Sequence, residues 1–322
     1  MSSSPLVVAI HQKFAAELTR EMTVPHSLRT FGDDGDTEMA RLLYGTDILV
    51  WGAFKTAWND PRGATLRLVH STGAGTDGID FAGLPSGCTV CNVYGHQWGV
   101  AEHAFLLMMA LHRNLFGLDA ALRKGDWMPQ RPYLPEMRGR HLLILGFGHI
   151  GQELVRWGQF LAMKITVLTR TPGKTRSETP GYPVAGSLRD LGRHLKEADF
   201  VVVAIPAATG TIDLIGEKEF QQMKPGAFII NVGRGPVINE DALYEALRTR
   251  RIAGAGLDVW YQYPAAGQNR LPSRRPFQEL DNVIMTPHKP TSETMAYRWK
   301  EIADNIGRFS RGEALRCVVR AA

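Results

Sequence analysis

The chain of 322 residues has only three cysteines, Cys88, Cys91 and Cys317. Three unevenly spaced thiols are too few for a disulfide framework, and this composition favours a reducing compartment. Cys88 and Cys91 form a C-x-x-C motif, but they lie in the strand-like segment GCTVCNV, and no second pair follows. We therefore expect buried thiols rather than metal ligands, and we predict no metal site.

The N-terminal segment, MSSSPLVVAI, lacks the basic stretch of a signal peptide and has only a short apolar run. This pattern indicates neither a signal peptide nor a membrane span, and we expect a cytoplasmic protein. The formal net charge of +5 comes from scattered Lys and Arg residues, and we find no nucleic-acid-binding motif. The expected partner is a small molecule, with no nucleic acid and no membrane.

A βαβ pattern lies in the stretch HLLILGFGHIGQELVRWGQFLAMKITVLTRTP. Leu142–Leu145 predicts a buried strand, a helical pattern follows the glycine turn, and Ile165–Leu168 predicts a second strand. In this context G-x-G-x-x-G indicates a dinucleotide site. Gly146 allows the tight turn, Gly148 lets the backbone approach the pyrophosphate, and Gly151 lets the helix pack on the strand. The helix N-terminus then favours the pyrophosphate anion.

Further short apolar segments follow this unit, each separated from the last by a helical pattern. They are Phe200–Ile205, Ala227–Val232, Gly254–Trp260 and Val283–Thr286. Together with the two strands of the βαβ unit they predict an α/β fold with a doubly wound parallel Rossmann sheet of about six strands.

The first 95 residues repeat a strand and helix alternation of their own, which predicts a second, smaller parallel α/β domain. The expected strands are Leu6–Ile10, Asp47–Trp51 and Leu66–His70, and the expected helix is His11–Met22. After the third strand, Gly73, Ala74 and Gly75 predict backbone N–H groups accessible to an anion such as a carboxylate. An ordinary glycine turn explains the same spacing equally well.

Two longer helical patterns complete the chain. Gly99–Leu115 is apolar on nearly every face, which predicts burial within a domain or at a subunit contact. Thr291–Gly312 predicts a helix that packs back on the first domain.

Arg234 and His288 follow two of the predicted strands, AFIINV and VIMTP. In an open parallel sheet, ligands bind outside the carboxyl ends of the strands, so both side chains are expected at the same edge as the glycine turn. A guanidinium can bind a carboxylate and polarise a carbonyl, and an imidazole can exchange a proton near neutral pH. Reduction of a 2-keto acid by hydride needs these two functions. Taken singly, each residue also fits a loop charge or a structural histidine.

These motifs together resemble the D-isomer-specific 2-hydroxyacid dehydrogenase family, of the glyoxylate/hydroxypyruvate reductase type, over nearly the whole chain. STGAGTDGID resembles the family's substrate loop, VAEHAFLLMMALHRN its long interdomain helix, and LGFGHIG its cofactor turn. MKPGAFIINVGRGPVINEDALYEAL resembles its arginine segment, and AGLDVW and MTPH resemble the segments with the remaining active-site positions.

The resemblance implies a split substrate domain. Residues 1–95 and 290–322 would form a flavodoxin-like substrate (catalytic) domain, and residues 96–289 would form the inserted dinucleotide-binding domain. It further implies a homodimer built through Gly99–Leu115, with substrate bound in the cleft between the domains.

The resemblance also implies roles for individual residues. Arg234 would bind and polarise the substrate, His288 would be the general acid/base, Ala74 and Gly75 would offer N–H groups to the carboxylate, and Lys55 would contact the substrate. The implied cofactor-binding positions are Gly146, Gly148, His149, Ile150, Gly151, Thr169, Arg170, Thr171, Ile205, Pro206, Thr211, Val232, Gly233 and Asp258.

One catalytic position departs from the family pattern. Most members have an acidic residue five positions after the aspartate of the LDV segment, which hydrogen-bonds the catalytic histidine. Here the segment is LDVWYQYP, and that position is Tyr263. A phenol can orient the imidazole but lacks the charge that favours its protonated form, so His288 is expected to be a weaker proton donor. Lys289 would act in the same direction by repulsion.

The end of the second strand predicts the cofactor. Family members selective for NAD have an acid eighteen residues after Gly151, where this chain has Thr169, followed by Arg170 and Thr171, with Lys174 and Arg176 nearby. A guanidinium beside hydroxyl groups suits a 2′-phosphate, so we predict NADP(H) over NAD(H), with NAD(H) still possible. The alternative is a solvated basic loop.

The sequence therefore predicts an NADP(H)-dependent reductase of a small 2-keto acid. Two alternatives stay open because of Tyr263. One is a dehydrogenase whose substrate needs no acid/base partner, as in the formate dehydrogenases of the superfamily, and the other is a dinucleotide-binding regulatory protein with little turnover.

Overall fold

A computed structural model of the chain describes residues 5–60, 63, 65–127, 134–172, 186–264, 267–289 and 294–321. The chain divides into two compact units. The first unit comprises Met1–His96 and Ser292–Ala322, and the second comprises Gln97–Thr291.

The first unit contains a six-stranded sheet. Its strands are β1 (Leu6–His11), β2 (His26–Phe31), β3 (Ile48–Val50), β5 (Leu68–His70), β7 (Thr89–Cys91) and β15 (Val318–Arg320), and a separate short pair consists of β4 (Ala53–Phe54) and β6 (Gly78–Ile79). The order β2-β1-β3-β5-β7 is parallel and flavodoxin-like, and β15 pairs antiparallel with β7 at the edge.

The helices of the first unit are α1 (Ala15–Glu21), α2 (Asp36–Leu43) and α9 (Thr294–Ser310). On α9, Trp299, Ile302 and Ile306 are buried in one cluster with the apolar residues of β1 and α1. This packing confirms the expectation that the final helix lies on the first domain.

Several predictions for this unit are corrected. The predicted helix His11–Met22 is wrong at its start, because β1 extends through His11 and a 3-10 turn, Gln12–Phe14, precedes α1. The edge strand β2 was not predicted, since only Phe31 of its residues is buried and an apolar run is therefore missing. The strand β15 and the helix α2 were not predicted either.

The second unit contains a seven-stranded parallel sheet. Its strands are β8 (His141–Leu145), β9 (Lys164–Thr169), β10 (Gly186–Ser187), β11 (Phe200–Val203), β12 (Phe228–Asn231), β13 (Gly254–Leu257) and β14 (Val283–Met285). The order β10-β9-β8-β11-β12-β13-β14 is the doubly wound Rossmann arrangement extended by one strand. Apolar clusters cover both faces of this sheet. The predicted six strands are present, and the two-residue β10 is the one that the sequence did not predict.

The helices of the second unit are α3 (Gln97–His112), α4 (Leu115–Leu122), α5 (His149–Phe160), α6 (Leu191–Leu195), α7 (Glu217–Gln222) and α8 (Glu240–Arg248). The predicted helix Gly99–Leu115 is corrected at its end, because Asn114 adopts a left-handed φ of 49° between α3 and α4. Within the described residues no single helix has the length and apolar character of a membrane span, although the bent pair of α3 and α4, at 55°, passes that test when taken together.

Cys88 and Cys91 are buried, as predicted, and all three cysteines are free. Burial raises the pKa of Cys88 to about 11 and that of Cys91 to about 12, so both stay protonated thiols at neutral pH. Across the described ranges, no cluster of three His, Cys, Asp or Glu side chains is placed to hold a metal ion.

Candidate functional site

The turn after β8 fits a dinucleotide pyrophosphate. Gly146 has a φ of 108°, and a Cβ at Gly151 would lie 2.2 Å from the Gly146 carbonyl oxygen, so both positions require glycine. A Cβ at Gly148 would meet nothing within 4 Å, which leaves open space beside the start of α5. His149 is exposed and Ile150 half-buried at this helix N-terminus, where backbone N–H groups favour an anion.

The end of β9 presents the three residues predicted to select the cofactor. Thr169 is the last residue of the strand and is buried, whereas Arg170 and Thr171 are exposed. No acidic residue occurs in this segment. Lys174 and Arg176 lie outside the described residues.

The loop after β11 is held by a threonine hydroxyl. The Thr211 hydroxyl donates to the Pro206 carbonyl at 2.8 Å and accepts from the Ala208 N–H at 2.8 Å. Ile205 is buried at the start of this loop, and Pro206 is exposed. The Thr211 side chain therefore shapes the loop from within.

A buried asparagine fixes the backbone around Arg234. At the end of β12, the Asn231 amide accepts from the Gly233 N–H at 3.1 Å and donates to the Arg234 carbonyl at 3.0 Å. A Cβ at Gly235 would lie 2.2 Å from the Trp260 carbonyl oxygen, so only glycine fits there. The Arg234 guanidinium is half-buried and donates to the Gly233 carbonyl at 2.8 Å. Sequence reasoning missed Asn231, although a polar residue ending the apolar run AFII is a visible signal.

His288 and Tyr263 meet by ring packing. Their ring centroids lie 5.4 Å apart with planes tilted by 42°, and His288 has a left-handed φ of 54°. The Tyr263 hydroxyl accepts from the Trp260 N–H at 3.2 Å. No hydrogen bond to the His288 ring occurs in the part of the chain that the structure describes, so the phenol orients the imidazole by contact alone.

The surroundings of His288 disfavour its charged form. Desolvation by burial lowers the pKa of His288, the Asp258 carboxylate opposes this shift, and the Arg234 guanidinium lowers the pKa further. The residue as a whole remains exposed, so the imidazole is open on one side. Desolvation likewise raises the pKa of Tyr263, which keeps the phenol neutral.

A second histidine, His103 on α3, lies beside Thr286 and Asp258. Its Nε2 is 3.0 Å from the Thr286 hydroxyl, which donates to Oδ1 of the buried Asp258 at 2.6 Å. The Asp258 oxygen is also 3.6 Å from His103 Nε2. Because the Thr286 hydroxyl donates its one proton to the carboxylate, its oxygen accepts from His103 Nε2–H. The hydrogen bonds therefore run from His103 through Thr286 to Asp258. Sequence reasoning did not find His103 or Thr286.

In the first unit, the loop Ser71–Gly75 has its carbonyls turned toward the protein. The Thr72 carbonyl accepts from Arg298 at 2.6 Å and the Gly73 carbonyl from the Val93 N–H at 3.2 Å. The carbonyls of residues 74 and 75 accept from the side chains of Asn92 and Ser71, each at 2.8 Å.

The N–H groups of Ala74 and Gly75 consequently point away from the Val93 N–H and the Asn92 amide, because each shares a peptide unit with the carbonyl of the preceding residue, and the C=O and N–H groups of a peptide unit face opposite directions. Neither N–H has a hydrogen-bond partner among the described residues. This geometry favours an anion-binding loop over an ordinary glycine turn.

Lys55 is paired within the first unit. Its Nζ lies 2.7 Å from Asp36 Oδ1, which also accepts from the Trp58 indole N–H at 2.8 Å. The Lys55 ammonium hydrogen bond is the main reason that the pKa of Asp36 is lowered. The positive charge of Lys55 is therefore locally compensated, and its predicted contact with substrate stays a prediction.

Most predicted site residues of the second unit lie after the carboxyl ends of its strands. These are Gly146 to Gly151 after β8, Thr169 to Thr171 at β9, Ile205 and Pro206 after β11, Val232 to Arg234 after β12, Asp258 after β13 and His288 after β14. Val232 and Gly233 are buried at this edge. The arrangement suits a dinucleotide whose reactive end lies over β12 to β14, because the cation and the imidazole are there.

Comparison with known proteins identifies the family of this chain. Residues 105–289 match the family model described as D-isomer specific 2-hydroxyacid dehydrogenase, NAD binding domain. D-3-phosphoglycerate dehydrogenase of Archaeoglobus fulgidus is 32% identical over 258 residues, covering 79% of this chain and 47% of that protein. The chain thus spans about half the length of that relative.

Two further comparisons cover more of the related protein. Glyoxylate reductase of Pyrococcus furiosus is 34% identical over 266 residues, covering 79% of this chain and 75% of that protein. The structure of a D-isomer specific 2-hydroxyacid dehydrogenase family protein from Aeromonas salmonicida subsp. salmonicida superposes with a TM-score of 0.78 at 29% identity, over 99% of each chain. With a matching family model, these relatives and this sheet edge, the chain belongs to the D-isomer-specific 2-hydroxyacid dehydrogenase family.

Proposed function

We propose that this protein is an oxidoreductase that transfers a hydride between NADP(H) and a small 2-keto or 2-hydroxy acid. One observation above all supports this: Arg234 and His288 follow β12 and β14 at the same sheet edge as the Gly146 turn. A cation that binds carboxylates and a group that exchanges protons therefore lie on the reactive side of the cofactor turn.

Each side chain has a defined task in keto acid reduction. Bound NADPH would supply a hydride, two electrons and one proton nucleus, to the carbonyl carbon. Arg234 binds the carboxylate and polarises the carbonyl through its fork of donors. His288, in its imidazolium form, donates the proton that the carbonyl oxygen needs, which yields the 2-hydroxy acid and neutral imidazole. In the first unit, the outward N–H groups of Ala74 and Gly75 are assigned to the substrate carboxylate.

The preference for NADP(H) is supported by Arg170. It is exposed at the end of β9, flanked by Thr169 and Thr171, where no acid would repel a 2′-phosphate. Arg170→Asp should lower the NADPH-to-NADH ratio of kcat/KM by at least about tenfold, since a hydrogen bond to a charged group contributes about 1.5–3 kcal/mol. Lys164→Asp, the same charge change at the other end of β9, is the control. Equal ratios in the two variants would remove the assignment.

The assay that tests the activity is loss of NADPH absorbance with glyoxylate, hydroxypyruvate, phenylpyruvate and oxaloacetate. Turnover with at least one keto acid is expected, and Arg234→Met should lower kcat/KM by about 100-fold or more through loss of a charged contact to the substrate. Turnover that survives Arg234→Met would contradict the role given to this residue.

A second candidate is favoured by the Tyr263 hydroxyl, which accepts from Trp260 and makes no bond to His288. A weak proton donor suits a dehydrogenase whose substrate releases no hydroxyl proton, such as formate, or a dinucleotide-binding regulator. A dehydrogenase of the formate type would bind NADPH tightly, would not oxidise it with any keto acid, and would reduce NADP+ with formate. A regulator would bind NADPH and catalyse neither reaction.

The exposed apolar face of α3 and α4 supports a homodimer. Five apolar side chains of this face are more than half exposed: Trp98, Leu106, Leu115, Phe116 and Leu122. Several large apolar side chains left exposed on two successive helices are typical of an interface. Light scattering should give a dimer that Leu106→Glu with Phe116→Glu dissociates, while Phe160→Glu, at an exposed aromatic on α5, leaves it intact. A monomeric wild type would contradict the proposal.

A further inference from the structure

Arg298 on α9 is tied to the anion-binding loop of the first unit. Its Nη1 donates to the Thr72 carbonyl at 2.6 Å, across 226 positions of sequence. The side chain is half-buried. One of its five N–H donors is thereby occupied, and the loop that it touches has outward-facing N–H groups at Ala74 and Gly75.

The positive charge of Arg298 contacts an aromatic ring rather than an acid, since its guanidinium carbon lies 6.0 Å from the centroid of the Trp299 ring. No ion pair of this guanidinium occurs among the described residues, and desolvation alone lowers its pKa. The acid one helical turn along, Glu301, is engaged by the Tyr297 hydroxyl at 3.0 Å and by Arg316 at 3.5 Å. A cation near the start of a helix is also disfavoured by the helix dipole. A partly desolvated guanidinium that has no acidic partner among the described residues is costly for folding.

Anchoring the loop does not require that cost. The side chains of Asn92 and Ser71 hold the carbonyls of residues 74 and 75 as neutral donors. A neutral donor at position 298 would serve the Thr72 carbonyl equally well. What the guanidinium adds is a positive charge beside a loop that already offers N–H groups to an anion.

We propose that Arg298 is a substrate-specificity residue, which binds the second acidic group of a dianionic 2-keto acid, a carboxylate or a phosphate ester. This rests on the proposed function for the substrate itself. Lys55 is the weaker source of such selectivity, because Asp36 already compensates its charge.

The experiment compares kcat/KM for matched pairs of substrates: pyruvate with oxaloacetate, and hydroxypyruvate with its 3-phosphate ester. Arg298→Met should lower the dianion-to-monoanion ratio by about tenfold, as expected for one charge-assisted contact. Arg298→Lys keeps the charge and should retain most of the ratio. The two pairs show whether a carboxylate or a phosphate is preferred.

Arg308→Met is the matched control. Arg308 lies on the same helix, donates to the Ala314 carbonyl at 3.2 Å and pairs with Asp304 at 3.1 Å, so the variant loses the same charge and a similar carbonyl contact. Its ratio should equal that of the wild type. If Arg298→Met lowers both substrates equally, Arg298 is an anchor only and the proposal is overturned.

A binding measurement separates this proposal from the proposed activity. Calorimetric titration with malonate and with acetate should show that the wild type prefers the dianion and that Arg298→Met loses this preference with unchanged NADPH affinity. That result supports the Arg298 site even if no keto acid is reduced. A wild type without preference for malonate overturns it, even if keto acids are reduced.

Discussion

Two glycine-containing loops, one in each unit, are the anion sites that we propose, and they are shaped by different means. In the second unit, the turn from Gly146 to Gly151 is shaped by the absence of side chains, because a Cβ at either end would collide with backbone. In the first unit, a Cβ at Gly73 would meet nothing within 4 Å. The loop Ser71–Gly75 is instead shaped by donors that reach its carbonyls.

The two loops are therefore sensitive to different substitutions. The turn of the second unit has a helix behind it, so its anion site depends on close backbone packing. The loop of the first unit has no such helix, and its orientation depends on polar side chains from distant segments. Adding a side-chain atom to a glycine should therefore damage the turn of the second unit. Removing or charging a side chain that holds a carbonyl should damage the loop of the first unit.

The largest effect is expected from Gly151→Ala. Its Cβ would lie 2.2 Å from the Gly146 carbonyl oxygen, so the backbone of the turn must move. This movement should lower the free energy of unfolding by about 3 kcal/mol. NADPH affinity, measured by nicotinamide fluorescence, should fall by about 100-fold or more, because the pyrophosphate loses its N–H groups. Gly73→Ala is the control and should change the free energy of unfolding by no more than about 0.5 kcal/mol and NADPH affinity by no more than about twofold. Comparable losses in the two variants would abolish the contrast.

The next effect concerns His70, at the base of the loop in the first unit. His70 is buried, its Nδ1 lies 2.9 Å from the Ser71 carbonyl, and Nε2 accepts from Asn305 at 3.0 Å. Burial lowers its pKa to about 4, so the unfolded chain binds the proton first as the pH falls. The free energy of unfolding should therefore fall by about 2 kcal/mol between pH 7 and pH 5. The cause is protonation of this histidine in the unfolded chain, where its pKa is about 6.5.

Urea unfolding at the two pH values measures this loss. In His70→Gln the loss should shrink by that amount, because glutamine does not titrate. An unchanged difference between pH 7 and pH 5 would show that other groups cause it.

The sequence predicts features that depend on neighbouring residues, but it does not predict contacts between residues far apart in the chain. The strand ends that carry Gly146, Arg234 and His288 follow from short apolar runs, and the strand-end rule then places them at one edge. His103 reaches Thr286 across 183 positions and Arg298 reaches Thr72 across 226, so no local pattern reveals either contact.

Short or weakly apolar elements escaped prediction for another reason. The strand β10 has two residues and β2 has one buried residue, so neither shows a period that distinguishes it from a loop. Tyr263 was placed beside His288 by its position in the motif. That its hydroxyl accepts from Trp260 rather than bonding the imidazole depends on the fold of the WYQY turn.

A smaller effect is expected at Tyr263, whose ring contacts the His288 ring. In Tyr263→Glu the added carboxylate should raise the pKa of His288, which desolvation and Arg234 now lower. The pH above which keto acid reduction declines should rise by about one unit or more. Tyr263→Phe removes only the hydroxyl and should leave the pH profile in place. A shift of equal size in both variants would exclude an effect of charge.

The smallest effect is expected from His103→Phe, which removes the donor behind Thr286 and Asp258. NADPH affinity should fall by about fivefold, the value of one hydrogen bond, if the buried carboxylate lies by the nicotinamide. Affinity for 2′-phospho-ADP-ribose, which lacks the nicotinamide, should stay unchanged. Equal losses for both ligands would point to a general disturbance of α3.

We propose that hydride transfer takes place at the sheet edge that holds Arg234 and His288. The direct measurement uses NADPH deuterated at the reactive face of nicotinamide C4, incubated with the protein and a mixture of 2-keto acids, with products separated by mass and by chirality. We predict one deuterium at C2 of a D-2-hydroxy acid, and we expect no deuterated product with Arg234→Met. Bound NADPH whose deuterium reaches no keto acid would contradict it.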